Sequence, residues 1–210
     1  MTGAFITLEG GDGSGKSTQA GMLQSWLEGE GRTVVRTREP GGTELGVEIR
    51  RLVQHTEGHV APRAEALLYA ADRAHHVATL VRPALERGEV VLQDRYLDSS
   101  VAYQGAGREL DGGQIRDLSL WAADGLLPDL TILLDLDPGA GRERMAARED
   151  APYDRLEQAG EAFALRVREA YLELAAAEPD RFAVVDASGS PADVHARVVS
   201  HVRAMLDADR

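Results

Sequence analysis

The sequence predicts an α/β fold in three layers, with a five-stranded parallel sheet covered by helices on both faces. Two patterns carry that expectation. Short runs of β-branched and apolar residues alternate with longer segments of helical period, as in a sheet built from strand–helix–strand units. In addition, the first junction between strand and helix is rich in glycine and falls at the sheet edge where open α/β folds gather their ligands. The 210 residues, 43% of them apolar, suffice for one buried core and suit one domain over residues 1–210.

In chain order, strands are expected at Ala4 to Glu9, Thr33 to Thr37, Val90 to Asp94, Leu130 to Asp135 and Phe182 to Asp186. Each is a short run dense in Val, Ile, Leu, Phe or Thr, as a strand buried on both sides requires. Helices are expected at Lys16 to Gly29, Glu44 to His55, Arg63 to Glu86, Gly112 to Ala123, Pro138 to Arg148, Glu157 to Ala177 and Pro191 to Asp207. Asp135 and Asp137 follow the fourth strand and could serve as a metal-binding carboxylate pair. A strand exit followed by a cap fits them better, with Pro138 in the first turn of the next helix. Residues Glu149 to Arg155 combine charge with a proline between two helices and read as a flap within the domain.

Composition narrows the function. No run of eighteen apolar residues is present and the chain enters a strand almost at once, so neither a membrane span nor a signal peptide is expected and the cytoplasm is the default compartment. Cysteine is absent, which removes disulfides, iron–sulfur clusters and thiolate zinc sites. A net charge of −12 opposes binding to nucleic acid or to an anionic membrane, so an anionic substrate must be met by local cations. Of the 23 basic residues only Lys16 is a lysine, and asparagine does not occur. In a chain biased this far toward arginine, the lysine that remains marks a place where a guanidinium does not serve.

Lys16 lies in Gly10-Gly11-Asp12-Gly13-Ser14-Gly15-Lys16-Ser17, which fits G-x4-G-K-[ST] between a strand and a helix. That context makes the segment a P-loop and the fold that of a P-loop NTPase. Glycines let the backbone wrap phosphate oxygens, so that N–H groups and the helix N-terminus point at the anion. Lys16 supplies a compact charge to the β- and γ-phosphates, and the Ser17 hydroxyl is placed to ligate Mg²⁺. With Thr18 in the first helical turn, residues 10–18 form the expected ATP site, and Ser17 the expected metal contact.

A P-loop leaves GTPases, ATPases and several kinases open. Guanine recognition through N-K-x-D is impossible without asparagine. Three further motifs decide: Thr37-Arg38-Glu39-Pro40-Gly41-Gly42-Thr43; Asp94-Arg95-Tyr96 with Ser99-Ser100-Val101-Ala102-Tyr103-Gln104-Gly105; and Asp154-Arg155-Leu156-Glu157. Together with the P-loop they resemble the thymidylate kinase family over essentially the whole chain. The residues have their own logic too. Arg95 ends a strand beside the P-loop and can reach a phosphate, while Tyr69 and Arg73, four apart, share a helical face.

The resemblance implies a nucleoside monophosphate kinase-like fold that transfers a phosphoryl group from ATP to dTMP, with Mg²⁺, as a homodimer. It implies dTMP contacts from Asp12, Glu39, Tyr69, Arg73, Arg95, Ser100, Tyr103 and Gln104: the Tyr69 ring on thymine, Arg73 on the monophosphate, and Tyr103 against a ribose 2′-hydroxyl. Many relatives carry Phe at the position of Tyr69. Members of the family carry an arginine either in the P-loop or in the lid. The P-loop here holds none, so the resemblance is to the bacterial lid-arginine type, with the lid at about residues 142–156 expected to bring one. Arg148 and Arg155 are the candidates, with Lys16 and Arg95 as the other catalytic cations. Arg142 and Arg144 read equally well as a solvated helix end. His55, His59, His75 and His76 look like helix surface with no third metal ligand in range. Two rivals stay open: a deoxynucleoside kinase, which needs a carboxylate base, and a noncatalytic nucleotide switch.

Overall fold

In the computed structural model, residues 3–56, 58–147 and 160–208 are described. The chain runs β1 (Ala4–Glu9), α1 (Lys16–Gly29), β2 (Val34–Arg38), α2 (Glu44–His55), α3 (Pro62–His76), α4 (Arg82–Glu86) and β3 (Val90–Asp94). It continues through α5 (Leu97–Ser100), α6 (Gly112–Ala122), β4 (Leu130–Asp135), α7 (Pro138–Ala146), α8 (Glu161–Ala177), β5 (Phe182–Asp186) and α9 (Pro191–Ala208). The strands pair in the order β2-β3-β1-β4-β5, and every pairing is parallel.

The strands alternate their side chains between two cores, as the pleat demands. Ile6 and Leu8 of β1 and Ile132 and Leu134 of β4 pack with Leu23 and Leu27 of α1 and Val194, Val198 and Val202 of α9. On the opposite face, Leu133 packs with Val167 and Tyr171 of α8, while Phe5 packs with Val77 and Val81. Both faces are therefore covered, and the ends of β1 and β3 open onto one edge. Asp137 accepts from the Gly139 and Ala140 backbone N–H groups with Pro138 in the first turn, so it caps α7. Asp135 instead pairs with Arg168.

The structure departs from the sequence expectation in two helical stretches. The helix expected over Arg63 to Glu86 starts one residue earlier, at Pro62, and swells into a π turn at Val77–Val81. Pro83 explains the swelling: it donates no N–H and its ring crowds the preceding turn, which a wider turn relieves. Residues 97–107 were not expected to be helical, yet α5 continues into a π turn at Val101–Gly107. Ser99, Ser100, Gly105 and Gly107 are poor helix formers, so local propensity gave no signal. Packing against α6 and α8 holds the segment instead.

Candidate active site

The P-loop wraps between β1 and α1 with Gly10 at φ 135°, Gly13 at φ 77° and Gly15 at φ 95°. A Cβ on Gly13 would run into the Gly141 backbone of α7, and one on Gly141 would meet the Asp12 carbonyl. The Lys16 ammonium donates to the Gly10 carbonyl at 3.0 Å and the Gly11 carbonyl at 2.8 Å, filling the nest with its own positive charge. Burial, together with the nearby Arg95 charge, lowers its pKa to about 8. Ser17 and Thr18 sit exposed in the first turn of α1, while Ser14 is buried within the loop.

Beside the loop lies a cavity of about 270 Å³ that brings most of the expected residues together. Asp12, Gly13, Gly15, Lys16 and Ser17 line it from the P-loop. Glu39 comes from the end of β2, Tyr69 and Arg73 from α3, and Arg95, Ser100, Tyr103 and Gln104 from the segment after β3.

Arg95 is a non-glycine residue at φ 66°. This left-handed conformation costs about 1–2 kcal/mol and is held in place by what the side chain reaches. One guanidinium nitrogen pairs with Asp12 and donates to the Tyr103 hydroxyl at 3.0 Å; the other donates to the Gly10 carbonyl at 3.2 Å and the Ser99 hydroxyl at 3.3 Å. Burial works against the Asp12 carboxylate, yet the Arg95 and Lys16 charges keep its pKa below the ordinary range. Burial raises the Tyr103 phenol, so it remains a neutral donor, 3.3 Å from Asp12.

Arg73 is 1% exposed and donates from all three guanidinium nitrogens: Nε to Glu39 at 3.0 Å, Nη1 to Ser119 at 3.1 Å and Nη2 to Ser100 at 3.2 Å. Glu39 also meets the His76 ring at 2.9 Å, and the other ring nitrogen meets Thr37 at 2.7 Å. His76 is therefore a buried part of this network, not helix surface as the sequence suggested. It sits at the inner end of α3, where that helix passes the sheet edge. Asp72 beside it is raised to about 6 by burial and by Glu39.

Several lining residues escaped the sequence reading. Arg38 is exposed at the cavity and forms no ion pair with a described residue; it stood in the quoted Thr37–Thr43 motif, which was its signal. Ser99 likewise lay in a quoted motif. Arg50 and Gln54 of α2 and Met145 of α7 carried no local signal. Beneath the P-loop, the buried Glu9 accepts from the Tyr96 backbone at 2.7 Å, Ser99 at 2.6 Å and Tyr171 at 2.8 Å. Burial and the Asp98 charge push it up to about 7.

For a metal, the Ser17 hydroxyl lies 3.3 Å from Asp94 Oδ2, and Asp94 Oδ1 is buried without a hydrogen-bond partner among the described residues. An oxygen-lined spot of this kind suits Mg²⁺, which takes few protein ligands and keeps waters and phosphate oxygens. No cluster of three acidic or histidine side chains forms a metal cage among the described residues. Arg142 pairs with Glu161 at 3.1 Å, and Arg144 donates to the Ala187 carbonyl at 3.0 Å and the Ser188 carbonyl at 3.3 Å. Arg148 and Arg155 lie outside the described residues.

The sequence pattern of the thymidylate kinase family matches residues 8–198. Thymidylate kinase of Clavibacter michiganensis subsp. michiganensis (strain NCPPB 382) is 66% identical over 208 residues, covering 99% of this chain and 98% of the relative. That of Bifidobacterium longum (strain NCC 2705) is 56% identical over 207 residues, 97% of this chain and 98% of its own. The crystal structure of thymidylate kinase from Ehrlichia chaffeensis superposes with a TM-score of 0.78 at 31% identity, over 96% of this chain and 99% of that one. Sequence pattern, relatives and fold agree over nearly the full length, and the chain belongs to the thymidylate kinase family.

Proposed function

We propose that the protein transfers the γ-phosphoryl group of ATP to dTMP, giving ADP and dTDP for dTTP synthesis. One observation carries this reading: the cationic P-loop side, with Lys16 and Arg95, and a recessed polar end, with Arg73, Ser100 and Gln104, line the same cavity. Such a cavity accommodates two anions and a base laid end to end. In the transfer, an oxygen of the dTMP phosphate attacks the γ-phosphorus while the bond to the β–γ bridging oxygen breaks, releasing ADP. The attacking oxygen is already anionic, so no general base is required. Lys16 and Arg95 hold and neutralise the reacting phosphates. Backbone N–H groups of residues 11–18 receive the ATP phosphates.

Arg73 serves the base end in this reading rather than the monophosphate. Its charge is already paired with Glu39, whereas Arg38 is exposed at the same cavity and forms no ion pair with a described residue. Tyr69 stacks against the base, and Tyr103 presses on the sugar edge where a 2′-hydroxyl would stand. Ser17 and Asp94 would hold Mg²⁺, which supplies charge neutralisation to the triphosphate when bound. Arg148 and Arg155, on the lid, bring a further cation to the transferring group and keep water out.

We further infer a cytoplasmic homodimer. No described helix is long and apolar enough to cross a membrane. Leu45 and Leu52 of α2, Leu67 of α3 and the 81% exposed Trp121 of α6 supply apolar surface for a second copy, and α3 packs against both α2 and α6. Light scattering reads the mass directly. Coupled measurement of ADP release across nucleoside monophosphates and thymidine tests the activity. Preference for dTMP is expected; thymidine as the better acceptor, or acceptor-independent ADP release, overturns the reading.

A further inference from the structure

Gln104 stands in the π turn after α5 and lines the cavity. Its Nε2 donates to Glu65 Oε1 at 2.9 Å, and both side chains are buried. Glu65 lies in the first turn of α3 and is held from the other side by Arg108, with Nε 3.3 Å from Oε1 and Nη2 3.3 Å from Oε2. The Arg108 guanidinium is itself seated over the Phe163 ring at 5.2 Å. A carboxylate paired with arginine only accepts hydrogen bonds. The Gln104 amide therefore has one usable orientation, because its flip would set a carbonyl oxygen against a carboxylate oxygen with no proton between them. With Nε2 committed inward, Oε1 is turned the other way, and no described residue donates to it.

We propose that Glu65 is a specificity-positioning residue: it locks the Gln104 carbonyl toward the base, so that the site accepts a hydrogen bond from a pyrimidine N3–H and rejects a base whose N3 is itself an acceptor. Thymine and uracil carry that N3–H. Cytosine presents a lone pair there, and the fixed carbonyl meets it with a second. The inference rests on the dTMP reading above and adds the reason dCMP is refused; it gives no selection between thymine and uracil, whose N3 edges are alike. Buried mispaired polar groups discriminate strongly because neither partner regains water.

The test uses the full chain and the ratio of kcat/KM for dTMP to that for dCMP. Glu65→Gln keeps the shape but removes the acceptor-only character, so Gln104 can turn either way. The ratio is expected to fall about tenfold or more. The exchange variant Glu65→Gln/Gln104→Glu puts an acceptor-only group at the cavity itself, and the preference is expected to return. An unchanged ratio in Glu65→Gln overturns the proposal, as does an equal loss for both acceptors. If Glu65→Gln alone does not fold, the exchange variant decides: dTMP preference supports the proposal, and loss of preference in a folded exchange variant defeats it. A wild-type enzyme that does not prefer dTMP would instead sink the functional reading, a result distinguishable from these.

Discussion

Removing the Arg73 guanidinium tests the buried pair at the inner end of the cavity. In Arg73→Met, Glu39 keeps the His76 ring at 2.9 Å but loses its guanidinium partner at 3.0 Å, the only one among the described residues, in a place where its side chain is 2% exposed. Breaking a buried ion pair from one side costs about 3–5 kcal/mol, because the orphaned charge stays out of water. The retained His76 contact argues for the lower end. At about 2–4 °C per kcal/mol for a domain of this size, melting falls by about 6–20 °C. Glu39→Met should cost a similar amount. Arg73→Met/Glu39→Met removes both charges, leaving the Ser100 and Ser119 hydroxyls and one ring nitrogen short of a partner. At about 1 kcal/mol each, the double variant should lose about 3 kcal/mol, well under the sum of the singles. Urea melts without nucleotide give the cycle, and dTMP affinity should be poor in all three variants. Additivity within about 0.5 kcal/mol would refute the account of Arg73 and Glu39 as a mutually dependent pair.

Other expectations follow from the charged groups around the P-loop. Phosphates arriving at Lys16, whose pKa stands at about 8 in the free protein, should restore its proton; ATP binding above that pH then takes up protons and weakens as pH rises. Calorimetry in buffers of different ionisation enthalpy reads the uptake, and zero uptake at pH 9 contradicts the assignment. Glu9, raised from 4.5 to about 7, holds a proton in the folded state that the unfolded chain releases. Its contribution to stability is complete below about pH 4.5 and is lost as pH rises to about 7, on the order of 3 kcal/mol at most. Asp72, raised to about 6, acts in the same direction. Glu9→Gln should flatten that part of the stability curve, and an unaltered curve counts against it. Asp94→Asn should raise the Mg²⁺ concentration for half-maximal activity about tenfold. An unmoved Mg²⁺ requirement would move the metal away from Ser17 and Asp94.

Much of this molecule is legible from its sequence because strand runs and the P-loop are local signals. All five strands fall within a residue of their expected bounds, since buried parallel strands are dense in Val, Ile and Leu. Lys16 could be singled out from composition alone. The segment over residues 97–107 could not, because its helicity comes from contacts with α6 and α8 rather than from its own propensity. His76 is hidden from the sequence for a related reason. Adjacent to His75 on a polar stretch, it looks solvated, and only the crossing of α3 over the end of β2 brings Glu39 and Thr37 to its ring. Glu65 is a plain acidic residue in a first helical turn until the π turn delivers Gln104 to it. Contacts between distant segments decide these cases, and residue type alone does not encode them.

The meeting of Gly13 with Gly141 has a consequence for how this enzyme can vary. Main chain rests on main chain there, with no side chain between the phosphate-holding loop and α7. A methyl group on either partner would wedge them apart, and it would do so on the inner surface of α7, where Gly141 is buried. Neither position has room for a side chain. Engineering of α7 or of the phosphate-holding loop should therefore leave these two bare positions as they are.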